Sequence, residues 1–286
     1  MDRKGVFAHI KWFIILLIPI GLVWGMRLYV VESFRISTPA MEDALFPGDY
    51  VLVQKYNSSS PLQRYAILLY ESPLIRDSIS SPLFLSRCIG QPGDTVLVDG
   101  KGYLINGKFY PTAPQTLNEY KASRSIETPF LSAIKKLDIP QRNLSINDST
   151  ITLSLTVHEE KRIRDYLQTA CDTFLFHVAA IKPYALVLPR KERFYRITPE
   201  SLPFYMEAIR KETCNKAVFK DGKLYLDGRE CSFYYFRNNY YWLLSDNRSE
   251  AIDSRQLGIV PDNCIVGKIW YRWYHDNKLS LKKFIE

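Results

Sequence analysis

The chain has 286 residues, 47% of them hydrophobic and 14% aromatic, with 19 tyrosines and a formal net charge of +8. That length allows one large domain or two small ones with ample core, and the composition excludes a disordered chain. Basic residues are interleaved with acids, as in Arg190-Lys191-Glu192-Arg193; this reads as a solvated face, not a nucleic-acid-binding surface, and a nearby anionic membrane accounts for the mild basic excess.

The five cysteines are Cys88, Cys171, Cys214, Cys231 and Cys264. None forms a C-x-x-C pair and no histidine lies at ligand spacing, so neither a metal nor a cofactor is expected. An odd number leaves at least one thiol unpaired. A Cys214–Cys231 bridge is one option for a domain outside the cytoplasm, and isolated buried thiols are the preferred one.

Residues 10–31, IKWFIILLIPIGLVWGMRLYVV, carry no charge between Trp12 and Met26. With its flanks the run reaches about 20 residues, enough for a transmembrane helix. Lys11 and Arg27 sit near its ends, where cationic side chains snorkel. No small-x-small cleavage site follows it, so it reads as an uncleaved anchor. Arg3, Lys4 and Lys11 place residues 1–9 in the cytoplasm and the remainder outside, giving a single-pass protein of the plasma (inner) membrane.

The remainder reads as mainly β. Strands are predicted at Tyr50–Val53, Ala66–Tyr70, Tyr184–Leu188, Cys231–Phe236, Tyr240–Leu244 and Ile265–Trp273. Asp99-Gly100, Asn106-Gly107, Asp221-Gly222 and Asp227-Gly228 mark hairpin turns. Thr156-Val157-His158-Glu159 has capping-box spacing and opens a helix ending near Leu167; Thr198-Pro199-Glu200 opens another, running to about Lys211. Residues 111–215 read as a mixed α/β insertion or second lobe, dividing the β-domain into 32–110 and 216–286.

Three blocks then stand out. Behind the apolar run comes Phe34-Arg35-Ile36-Ser37-Thr38-Pro39-Ala40-Met41-Glu42-Asp43-Ala44-Leu45, with Pro47-Gly48-Asp49 opening the next strand. Arg87-Cys88-Ile89-Gly90-Gln91-Pro92-Gly93-Asp94 is the second, and Ser245-Asp246-Asn247-Arg248 with Asp253-Ser254-Arg255 the third. In this order, behind a membrane anchor, they resemble the conserved boxes of signal peptidase I, a family of membrane serine endopeptidases. The resemblance covers roughly residues 21–110 and 217–273. It implies a largely antiparallel β-domain on the outer membrane face that processes signal peptides of exported proteins.

That family pairs a serine nucleophile with a neutral lysine base, its pKa lowered by burial. Here the nucleophile position is Ala40 and the general-base position is Ser86. Arg87 is no substitute, since a guanidinium stays protonated, and His158, His177 and His275 lie outside the boxes. Ala251 and Ser245 depart from the family's serine and glycine. By the same correspondence the Ala40 amide and Thr38 form the oxyanion slot, Ile36, Met41 and Leu85 line shallow pockets for small side chains, and Asp246, Arg248, Asp253 and Arg255 support the walls. Ser86 as a replacement nucleophile has only Asp253 as an ionisable neighbour.

The implied function is binding without cleavage: a pseudoenzyme recognising signal peptides or other extended peptides, with an active paralogue or the secretion machinery as further partners. Two other readings stay open, an active peptidase of atypical form and a membrane-anchored interaction module.

Overall fold

The computed structural model describes residues 17–21, 24–25, 27, 30–57, 62–74, 82–99, 102–168, 176–178 and 183–284. The predicted anchor at 10–31 lies largely outside them; residues 17–21, 24, 25 and 27 are helical, and Val31 already begins a strand. Leu17, Ile18, Ile20 and Trp24 are exposed. Among the described residues no helix is long and apolar enough to cross a membrane.

The chain is mainly β, as its alternating apolar pattern predicts. β1 (Val31–Arg35), β2 (Tyr50–Lys55), β3 (Ile67–Glu71) and β4 (Leu83–Gly90) form one antiparallel sheet with late strands β18 (Tyr240–Leu244), β19 (Val260–Pro261), β20 (Ile265–His275) and β21 (Lys278–Lys283). Its order is β1-β2-β20-β3-β4-β18-β19, with β21 paired to β20. Alternation divides its side chains between two cores. Ile67, Leu69 and Leu85 join Ile36, Met41 and Val51 in one; Leu68, Tyr70 and Cys88 join Leu243 and Cys264 in the other. At Gly267 a Cβ would run into the Gln54 carbonyl oxygen, so only glycine lets β20 approach β2 there.

β5 (Thr95–Val98), β6 (Gly102–Ile105), β7 (Lys108–Pro111) and β12 (Tyr184–Val187) make a four-stranded sheet in the order β12-β5-β6-β7. It packs in an aromatic-rich core with Tyr205, Phe236, Tyr240 and Trp242. β18 is buried at every residue because it serves two cores: Trp242 and Leu244 point into this one, Tyr241 and Leu243 into that under β3. Its unbroken apolar run follows from burial on both faces.

Of residues 111–215, β8 (Asn118–Ser123), β9 (Ser145–Ile146), β10 (Thr150–Leu155) and β11 (Phe176–Val178) form a sheet covered by α1 (Glu127–Lys136) and α2 (Val157–Gln168). This lobe has its own core, drawn from residues 120–167. α2 starts at the predicted cap, where Thr156 Oγ accepts the Glu159 amide and Glu159 returns to the Thr156 amide. Residues 184–212 instead join the aromatic core. There the predicted helix begins later than its proline suggested, as α3 (Leu202–Glu212), because Thr198 and Ser201 close a turn first. Short strands β13 (Arg193–Arg196) and β17 (Phe233–Phe236) pair, as do β14 (Val218–Lys220), β15 (Lys223–Leu226) and β16 (Arg229–Cys231). Asn106-Gly107, Asp221-Gly222 and Asp227-Gly228 all have positive φ and close hairpins. Cys214 and Cys231 are free, so the bridge considered between them is not made.

Candidate functional site

The strand-to-turn passage after β1 puts Ile36 in the core and leaves Thr38 extended and exposed. Pro39–Met41 then form a single 3₁₀ turn, for which Pro39 supplies the fixed φ. Thr38 makes no capping bond there. Ala40 and Met41 are buried, and the Ala40 carbonyl accepts the Asn247 amide at 3.0 Å. With the bond from Asn247 Nδ2 to Glu42 Oε2 at 3.2 Å, it ties the first block to the third. Ile36, Met41 and Leu85 share one apolar cluster, each less than 10% exposed.

The second and third blocks meet along β4 and β18. Arg87 Nε and Nη2 each donate at 2.7 Å to the Asp246 carboxylate, a two-pronged ion pair at the sheet's interior. Leu117 donates its amide to the Asp246 carbonyl at 2.8 Å, anchoring the entry to the second lobe. Ser86 is fully buried, with Oγ 3.1 Å from the Tyr70 hydroxyl and 2.9 Å from Ser245 Oγ. Ser245 Oγ in turn donates to the Leu85 carbonyl at 3.1 Å. That last acceptor fixes the direction of the whole run: Tyr70 donates to Ser86, Ser86 to Ser245, and Ser245 to the backbone. Burial pushes the Tyr70 phenol well above its ordinary range, so no base enters this chain of hydroxyls.

Asp253, named as Ser86's ionisable neighbour, is engaged elsewhere. It caps α4 (Ser254–Leu257) through the Arg255 amide at 3.0 Å, and forms a capping box with Gln256. It also accepts the Ser245 amide at 2.9 Å and Arg255 Nε at 2.8 Å. Arg255 Nη2 binds the Arg248 carbonyl, and Arg248 Nη2 donates to the Tyr103 hydroxyl at 2.7 Å. These four charged residues hold loops together and present no free acid or base at Ser86.

Several participants left no motif in the sequence. Asp49, read from the sequence only as opening the next strand, is buried and accepts the Phe46 amide at 2.9 Å, with His275 Nδ1 at 2.6 Å and Arg272 Nη1 at 3.4 Å. Arg142, from the second lobe, reaches the segment after Met41. Its guanidinium lies 2.9 Å from Glu159, 3.2 Å from Asp43 and 3.8 Å from Glu42. Beside it, Asn143 Nδ2 donates to Ser249 Oγ at 2.8 Å.

Asp43 has φ of 78° and its carboxyl pKa is raised, desolvation outweighing the attraction of Arg142. A carboxyl that holds its proton more tightly when folded lowers stability once pH exceeds that raised pKa, and ceases to do so as pH falls through it. Asp43→Asn keeps a residue that tolerates positive φ. It should therefore melt at or above the unsubstituted chain at pH 7.5, with any advantage shrinking as pH is lowered through the carboxyl's titration; thermal melts at a series of pH values check this.

The model of the family described as signal peptidase, peptidase S26, matches residues 9–274. The chain belongs to the signal peptidase family. The match includes the middle lobe, which the three blocks alone left uncovered. The chain is 24% identical to signal peptidase I of Buchnera aphidicola subsp. Baizongia pistaciae, over 96% of this chain and 78% of that protein. It is 22% identical to signal peptidase I of Aquifex aeolicus, over 95% and 86%. A shorter stretch, 30% of this chain and 45% of the relative, is 32% identical to signal peptidase I of Leptolyngbya laminosa.

Proposed function

We propose that this member of the signal peptidase family binds the signal-peptide segments of exported precursors as an extended strand beside Ala40, and does not cleave them. Residues 10–31 anchor it in the inner membrane with the amino terminus cytoplasmic and the β-domain outside.

The observation that carries this reading is the direct joining of the three blocks around two positions that lack reactive groups. A methyl group has no lone pair with which to attack a carbonyl. Ser86 is sealed inside the Tyr70–Ser86–Ser245 run, its proton already donated. β4 has one edge without a strand partner over its first half. Its residues 83–86 pair with β3 on one side, whereas pairing with β18 begins only at Arg87. The turn at Pro39–Met41 packs against this stretch, and an extended peptide entering there gains backbone hydrogen bonds from the strand edge. Thr38, exposed and without a cap to make, and the Ala40 amide supply the donors for a peptide carbonyl.

The test is photo-crosslinking of a secreted precursor carrying a probe in the last residues of its signal peptide. Adducts mapping to peptides that contain Ala40 or Leu85 are expected, with the precursor uncut. Adducts only elsewhere on the chain would count against the reading, and a shortened precursor would show that cleavage persists.

A further inference from the structure

A cleft of about 510 Å³ opens beside the end of the first block and the start of the second. Ala44, on the turn following Met41, and Arg87, next to Ser86, form one wall. Lys268, Lys282 and Lys283 line it as well, and among the described residues no aspartate or glutamate does. The arginines of the cleft already have partners: Arg87 holds Asp246, and Arg64 lies 3.0 Å from Asp94. The lysines do not. Among the described residues the lysine ion pairs are those of Lys55, Lys121 and Lys223, and none involves the three of the cleft. Lys282 sits 5.2 Å over the Phe284 ring and is felt at longer range by Asp43, which Arg142 already neutralises.

Uncompensated cations bordering one concave surface repel each other and focus a positive potential into it. An anion entering relieves that repulsion. The lysines come from two strands, β20 and β21, and so spread their charges along the cleft. Lysine heads are mobile point charges, suited to several separate carboxylates more than to the planar fork that arginine offers one anion. The walls between them carry Tyr65, Tyr110 and Pro111, against which a polypeptide backbone packs.

We propose that this cleft binds an acidic stretch of the same polypeptide whose neighbouring segment lies beside Ala40, so that acidic flanks select which precursors are held. The inference rests on the peptide-binding reading above and deepens it by naming a preferred ligand chemistry.

The full chain in zwitterionic detergent is titrated with fluorescent peptides that share one signal-peptide core. Flanks on either side are Asp/Glu-rich, Ser/Gly-rich or Lys-rich. The acidic-flank peptide is expected to bind on the order of tenfold more tightly than the neutral one at low salt, with the gap closing as ionic strength rises. In the variant K268E/K282E/K283E the preference should pass to the Lys-rich flank, while the neutral peptide binds as before; K268Q/K282Q/K283Q should abolish the preference in either direction. The acidic flank alone, without the core, is expected to bind saturably and to lose binding on charge reversal.

Equal affinity for acidic and neutral flanks overturns the inference and leaves the peptide-binding reading standing. Failure of every core-containing peptide to bind overturns that reading, while the isolated acidic flank still decides the cleft. Should the flank fail to bind while vesicles containing an anionic phospholipid bind and lose binding on charge reversal, the cleft is a headgroup site and the inference is wrong.

Discussion

Ala40→Ser alone is expected to leave precursor cleavage at background, because a serine at that turn still has no base within reach. Ser86 presents a hydroxyl whose proton is committed to Ser245, Asp253 is consumed by the helix cap and Arg255, and Tyr70 is held neutral by burial. A positioned general base contributes about 10²–10⁴-fold, so adding Ser86→Lys to Ala40→Ser should produce the larger step. That lysine, however, must fit where Tyr70 and Ser245 now close around a two-atom side chain, and overpacking a buried site costs about 1–3 kcal/mol. Ser245→Gly removes the obstructing hydroxyl. The expected ranking is therefore Ala40→Ser at background, Ala40→Ser/Ser86→Lys above it, and the triple variant with Ser245→Gly highest. Cleavage of a secreted precursor, followed by gel, checks the order; full activity from Ala40→Ser alone would mean that a base exists which the geometry around Ser86 does not reveal.

The second large effect is on stability. Asp246→Ala should cost about 3–5 kcal/mol, the range for stripping one partner from a buried ion pair and leaving the other charge unpaired. Here the abandoned charge is Arg87, whose side chain is 11% exposed against 1% for Asp246. Replacing both, as Arg87→Met/Asp246→Leu, should recover much of the loss, since paired charges contribute little beyond well-packed apolar side chains of similar volume. Denaturant unfolding of the unsubstituted chain, Arg87→Met, Asp246→Leu and the double variant, read as a double-mutant cycle, measures the coupling. A loss as large in the double variant as in Asp246→Ala would assign the effect to packing and not to charge.

These effects differ in how far the sequence revealed them. The Asn-Gly and Asp-Gly turns and the capping box at Thr156 are local devices, and they were legible because each is specified by adjacent residues. The hydroxyl run was not: Tyr70 lies on β3, Ser86 on β4 and Ser245 just past the end of β18, and only the pairing of those strands brings them together. Ser245 was visible as a departure from a family glycine, and the structure supplies its partner. Helix α1 was missed inside a polar stretch whose apolar positions, Phe130, Ala133 and Ile134, acquire meaning only against the β-sheet they cover. The Asp276-Asn277 turn between β20 and β21 was also overlooked, since it lacks the glycine that marks the other hairpins. Arg142 carried no local signal at all, being defined by carboxylates up to a hundred positions away.

Arg142 and Asn143 have a consequence for how such a chain can change over time. Through them the middle lobe grips Asp43, in the first block, and Ser249, between the two parts of the third. A lobe joined in this way is not interchangeable cargo. Any relative that exchanges residues 118–178 for another module must supply a cation at the same spot, or lose the acids at 42 and 43 along with it. Inheritance of the lobe and inheritance of that short acidic pair are thus linked, and the two should be gained and lost together across the family.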